Sequence, residues 1–415
     1  MAAFKRLWFL ALALLLAQTA PAARVQTSIG EPGKAALSGF LSAAVRNGDA
    51  PGVVALVVDG GRVVYEGAAG QMDVAHSVDM RTDSIFRIAS MTKPVTTVAA
   101  LMLVEAGQLQ LDDPVSKYLS GFDRPAVLTK YSTADGTFET RPAKRPMTIR
   151  HLMTHTSGLG YGWSSPIVAR LTDNTRARET EIPLLNDPGD EWHYSASTRV
   201  LGQVVEKVAG VPLDDFFRSR IFGPLAMSET WFTVPPEKVS RVVTVHQRTG
   251  STLVEQANAE VQQAPVSGEG GLYSTARDYG TFMQMLLNGG RLGSTRVLGE
   301  RFVAMMGKNQ IGSVIVEEQP AADPLRTRPF PLGAGRDKFG FGFQIAAADP
   351  RYSKLRSPGS LSWAGIDNTH FWIDPKRHIA AVVLMQVLPF YDERCISVLR
   401  GFEELVYQHL ASAPS

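Results

Sequence analysis

Two groups of β-branched, apolar runs, one near each end of the chain, restrict the possible folds more than any other feature. "GVVALVVDGGRVVYEGAAG" starts at Gly52 and places two such runs around Asp59-Gly60-Gly61, the pattern of a β-hairpin with a tight turn. The same kind of sequence returns far downstream. "FGFGFQIAAA", "SWAGIDNTHFWIDP" and "HIAAVVLMQVL" read as strands, with Asp374-Pro375-Lys376-Arg377 as the turn between the last two. Between the ends the periodicity is mostly helical. Candidates are the segment after Ser90, "MTIRHLMTHTS", "ASTRVLGQVVEKVAG", "PLDDFFRSRIF", "TARDYGTFMQMLLNGG" and "GERFVAMMG".

"KAALSGFLSAAVRNG" and a closing segment from about Asp392 to Leu410 read as terminal helices. The pattern therefore predicts an α/β (α+β) protein: an antiparallel sheet built from both termini, flanked by terminal helices, with a helical region inserted. Residues 30–85 and 335–415 would form the α/β domain, and residues 86–334 a mainly helical domain with long loops. Two stretches, 124–145 and 308–338, resist assignment and read as borders or flaps of a functional region. Clefts between two such lobes are where ligand sites tend to form.

The first residues have a different character. Lys5 and Arg6 precede an apolar run from Leu7 to Ala17, and small residues follow at Ala20 and Ala22. This is the pattern of a cleaved signal peptide over residues 1–22, with an uncleaved anchor as the alternative. It predicts a periplasmic or secreted protein without stable membrane insertion after cleavage. A formal charge of +2 over 415 residues gives no reason to expect nucleic acid as a partner. The single cysteine, Cys395, excludes an intramolecular disulfide and reads as an inert core thiol.

Chemistry is concentrated in three places. In "FRIASMTKPVTTVAALMLVEAGQ", Ser90 precedes Lys93 by one helical turn, so both side chains share a face. A lysine partly removed from water there can lose its proton near neutrality and act as a base toward the serine. S-x-x-K is a weak signal, and a capping serine beside a solvated lysine is the plain alternative. In "PGDEWHYSASTRVLGQVVEKVAG", Tyr194 follows a turn and precedes a helix that Ser195 or Ser197 could cap. Such a tyrosine is either an ordinary core residue or, beside Ser90 and Lys93, a proton shuttle whose pKa the ammonium lowers. In "LSWAGIDNTHFWIDPKRHIAAVVL", Gly365 on a strand would let a substrate approach the backbone. The Ile366 and Ser90 N–H groups could then act as oxyanion donors. The alternative for that glycine is a bulge.

These elements, in this order, resemble the serine β-lactamase and penicillin-binding protein superfamily. Its marks are S-x-x-K, a tyrosine-centred second motif, and a K-T-G or H-x-G triplet on a strand. "MTIRHLMTHTSGLGYG", "GQLQLDDPVSKYL", "GGLYSTARDYGTFMQMLLNGG" and "FWIDP" agree. The resemblance is strongest to the class C β-lactamase-like branch and its family VIII carboxylesterases. It implies Ser90 as the acylated nucleophile, Lys93 as its activating partner, and Tyr194 as the proton relay. Trp363, Ala364 and Gly365 would line the substrate. No cofactor and no metal are implied.

Two departures direct the substrate assignment. Class C β-lactamases carry asparagine two positions after the motif tyrosine, where this chain has Ala196. They carry Lys-Thr-Gly where it has Trp363-Ala364-Gly365. Losing both polar groups should cost a carboxylate-bearing substrate several kcal/mol, at about 1.5–3 kcal/mol for each charged hydrogen bond. Short-chain neutral esters are therefore expected. The alternatives are a β-lactam-, D-aminopeptidase- or DD-peptidase-type amide hydrolase, or a catalytically silent binding protein on the same fold. No G-x-S-x-G is present. His151 and His155 lack the glutamate of H-E-x-x-H, and a Ser-Lys-Tyr site has no need of His370.

Overall fold

The computed structural model describes residues 27–172, 181–256, 266–350 and 354–412; the expected signal peptide lies outside them. Eight antiparallel strands form the main sheet. In chain order they are β1 (Gly52–Asp59), β2 (Val63–Asp73), β3 (Val78–Asp79), β4 (Lys338–Phe339), β5 (Gln344–Ile345), β6 (Leu361–Gly365), β7 (Thr369–Asp374) and β8 (Ile379–Leu384). Their spatial order is β4-β5-β6-β7-β8-β1-β2-β3, so the two ends of the chain meet where β8 pairs with β1.

β1 is buried along its whole length because it has a core on each side. Side chains alternate across a strand. Val54, Leu56 and Val58 join the larger core with Phe371 and Val382, whereas Val53, Ala55 and Val57 join a second core with Trp372 and Val383. Helices α1 (Glu31–Arg46) and α6 (Glu393–His409) cover the second core and pack on each other. The larger core lies under α2 (Thr92–Glu105), α3 (Ile149–Thr154), α4 (Ser197–Ala209) and α5 (Ala276–Leu287). It is continuous from the sheet into the helical insertion. Helix starts follow local chemistry. The Asp392 carboxylate accepts from Cys395 N at 3.2 Å, and the Thr275 hydroxyl accepts from Asp278 N at 3.2 Å. Cys395 is fully buried, and burial pushes its thiol well above the ordinary range.

Several segments differ from the sequence reading. Residues 124–145 contain a hairpin, Ala126–Tyr131 paired with Phe138–Pro142, which Leu128 N ties to Leu184 O at 2.8 Å. The helix expected across "MTIRHLMTHTS" stops at Thr154, because His155 turns into the left-handed region at φ +56°. "FGFGFQIAAA" is two short strands around a turn. "PLDDFFRSRIF" is a short α-helix, Leu213–Phe217, continuing into a π-turn over Arg218–Phe222. Residues 308–338 are irregular yet well bonded: Gln319 and Phe330 exchange backbone hydrogen bonds of 2.6 and 3.2 Å.

Candidate active site

Ser90 sits in a tight 3-10 turn, Ala89–Met91, immediately before α2. Ala89 has φ +44°, a conformation that costs a residue with a Cβ about 1–2 kcal/mol. The surroundings hold it there: Ile88 N donates to Leu272 O at 3.0 Å, and Met91 N to Ile88 O at 2.9 Å. Lys93 follows on the first turn of α2, and its Nζ donates to Ser90 Oγ at 3.0 Å. The plain alternative of a solvated lysine is overturned, because Lys93 is only 3% exposed. Burial lowers its pKa to about 7, against a nearby carboxylate, Glu269, that raises it, with Arg199 adding to the lowering.

Tyr194 reaches the same point from the segment before α4, with its phenol close enough to Ser90 for the two to influence each other. Lys93 Nζ lies 4.7 Å from the centre of its ring. The expectation that the ammonium lowers this phenol is not met. Burial pushes it up, outweighing the lowering by Ser90 and Trp363, so it keeps its proton across the ordinary pH range. The expected serine cap is also absent. Ala196 holds the N-cap position without a side-chain bond, while Ser195 and Ser197 bond each other at 2.7 Å. Tyr194 N donates to Gln319 Oε1 at 3.2 Å, so the irregular 308–338 segment forms part of the wall of the site.

The strand motif meets both elements. Trp363 Nε1 donates to the Tyr194 phenol at 3.4 Å, and the two rings lie 4.9 Å apart. His155, Trp192 and Phe339 complete the surroundings of Trp363. Burial, and then the Lys93 charge, push the His155 ring well below its usual range, so it stays neutral. β6 pairs with β5 only through Leu361 and Ser362, which leaves the outer edge from Trp363 to Gly365 outside that pairing. Gly365 has a spatial reason rather than a bulge: a Cβ there would stand 2.4 Å from Ile88 O, two residues before Ser90. Ile366 follows in the turn between β6 and β7.

Other candidates fall outside this cluster. His370 pairs with Ala364, on the sheet face opposite Trp363, stacks on Phe390, and is held neutral by burial with a pKa of about 3. His151 is committed to a helix cap, accepting from Thr148 N at 3.1 Å. A cavity of about 960 Å³ runs along Ser362–Ala364 toward Arg356 and Glu403 of α6. Ser90, Lys93 and Tyr194 do not line it, so it is not formed by that cluster.

Three residues of the site escaped the sequence reading. Lys93 Nζ also donates to Glu269 O at 2.9 Å. The Glu269 carboxylate takes hydrogen bonds from the Tyr161 hydroxyl and from Arg199 Nε, the latter at 2.7 Å. The available signal was a lone acidic residue within the glycine-rich "SGEGGL".

The Beta-lactamase family model matches residues 37–398. The chain is 33% identical to Protein Rv1367c of Mycobacterium tuberculosis, over 81% of this chain and 86% of that protein. It is 30% identical to Esterase EstB of Burkholderia gladioli, over 84% and 89%. Its structure is similar to that of a LovD6 mutant of simvastatin synthase from Aspergillus terreus, with a TM-score of 0.78, 26% identity, and coverage of 91% and 97%.

Proposed function

The chain belongs to the β-lactamase family and is a serine hydrolase, and we propose that it is an exported carboxylesterase that cleaves short-chain neutral esters through a Ser90 acyl-enzyme. One observation carries the mechanism: the Lys93 amine, 3.0 Å from Ser90 Oγ, is buried enough to be substantially neutral near pH 7. Neutral Lys93 takes the Ser90 proton as Oγ attacks the ester carbonyl. The resulting oxyanion is held by the N–H groups of Ser90 and Ile366. On collapse the C–O bond breaks, and the alkoxide takes a proton from the Tyr194 phenol, which Lys93 then reprotonates. Water attacks the acyl-Ser90 by the same relay in reverse, releasing the acid and restoring Ser90. A phenol held in its protonated form suits the donor role, which is why Lys93 is assigned the first proton.

The substrate class rests on what surrounds the reacting atoms. Trp363 and Ala196 stand where class C β-lactamases place polar groups, and aromatic rings enclose Tyr194. Similarity to an esterase supports the same choice. Similarity to simvastatin synthase favours a second reading, in which an alcohol rather than water resolves the acyl-enzyme. The test compares wild type with Ser90→Ala on p-nitrophenyl butyrate and nitrocefin. Ester turnover that disappears in the variant is expected. Turnover that survives would overturn the mechanism, and nitrocefin turnover without ester turnover would reverse the substrate assignment.

A further inference from the structure

The amine of Lys93 is enclosed by groups from four separate parts of the chain. Ser90 faces it from the preceding turn, and the Tyr194 ring lies 4.7 Å from Nζ, with the His155 ring 5.0 Å from that of Tyr194. The Tyr161 ring lies 5.5 Å from Nζ. Glu269 supplies a backbone acceptor at 2.9 Å. Arg199 reaches in from α4 to grip the Glu269 carboxylate, which also takes the Tyr161 hydroxyl.

The Glu269 segment is held from both sides. Thr96 on α2 donates its hydroxyl to Gly268 O at 2.6 Å. On the other side, Gly268 lies against Gly202 of α4: a Cβ on Gly268 would stand 2.9 Å from Gly202 Cα and 2.5 Å from Thr198 O. Only a glycine pair lets the loop and helix approach so closely. That contact sets Glu269 between Arg199 and Lys93.

We propose that Glu269 and Arg199 are positioning residues for Lys93, a pair of opposite charges whose balance sets how readily its amine holds a proton, with Tyr161 fixing the carboxylate beside it. The proposal rests on the reading of Lys93 as the base. Burial outweighs Glu269, which favours the ammonium form, and Arg199 offsets part of that carboxylate's field. Neither residue needs to touch substrate.

The two charges act in opposite directions, which a merely structural role would not do. The pH dependence of kcat/KM on p-nitrophenyl butyrate should have an acid limb near pH 7, where Lys93 becomes protonated. Glu269→Gln should move that limb down by about one pH unit, and Arg199→Gln should move it up by about the same amount. Arg199→Lys keeps the charge and should leave the limb near its wild-type position. Limbs that stay put, or move the same way in both glutamine variants, would overturn the proposal. Thermal midpoints check folding; Arg199 is on a partly exposed helix face, so its two variants decide the question even if Glu269→Gln is unstable. Ser90→Ala separates the two levels. Unmoved limbs in an enzyme that Ser90→Ala silences refute the charge pair alone, whereas turnover surviving in Ser90→Ala refutes the site reading beneath it.

Discussion

Replacing Lys93 with methionine should make the protein more stable while abolishing its activity. Lys93 has a pKa of about 7 in the fold against 10.5 in the open chain. At about 1.4 kcal/mol per pH unit, that difference amounts to roughly 5 kcal/mol of destabilisation when the folded amine must carry its proton. The direction follows from proton counting. Between about pH 7 and 10.5 the unfolded chain binds a proton that the folded chain does not, so wild-type stability from this group rises with pH across that window. Below about 7 both states are protonated and the full cost is present. Methionine removes the charge at similar volume but forfeits the hydrogen bonds to Ser90 Oγ and Glu269 O. Ser90 is half-buried and its hydroxyl can bond to water instead, so one unpaired acceptor, the Glu269 carbonyl, is counted at about 1–3 kcal/mol, which leaves a net gain of about 2–4 kcal/mol at pH 6. Urea unfolding of both proteins at pH 6, 8 and 9.5 measures it. The advantage of Lys93→Met should shrink steadily toward the alkaline end. An advantage that does not change with pH, or a variant less stable at pH 6, would refute the claim that burial of this charge works against the fold.

Gly365→Ala should lower kcat at least tenfold and cost about 1–3 kcal/mol, because the new methyl meets Ile88 O at 2.4 Å and Thr369 Oγ1 at 2.3 Å; steady-state kinetics and thermal melts check both. Tyr194→Phe should leave a folded protein with kcat reduced about 10²–10⁴-fold, the range for a lost proton relay. Near-normal turnover in that variant would remove the phenol from the mechanism.

Much of this architecture was legible because it depends on short-range pattern. The β-branched, apolar runs in "GVVALVV" and "HIAAVVL" mark strands, and the one-turn spacing of Ser90 and Lys93 survives even though the serine sits in a 3-10 turn rather than the helix proper. What escaped depends on packing between distant segments. Nothing near Glu269 in sequence indicates that Arg199 and Tyr161 converge on it. The Tyr194 shift runs opposite to the sequence expectation for a related reason: proximity to an ammonium can be inferred from a motif, whereas complete burial among aromatic rings cannot. The hairpin within residues 124–145 was hidden by its second strand, Phe138–Pro142, which is polar, largely exposed and shows no apolar alternation.

The pairing of β8 with β1 has a consequence for the order in which the protein is made. β1 emerges from the ribosome with one neighbour, β2, and its other edge finds a partner only when Ile379–Leu384 appears. At about 5–20 residues per second, the roughly three hundred residues between them take on the order of tens of seconds. Throughout that interval "GVVALVV" offers an open, apolar edge of the kind that pairs with other chains. Synthesis thus has a long vulnerable phase that closes almost at its end. A chain halted before Ile379 would contain Ser90, Lys93 and Tyr194 yet lack the strand that completes the sheet, and aggregation rather than partial activity is its expected fate.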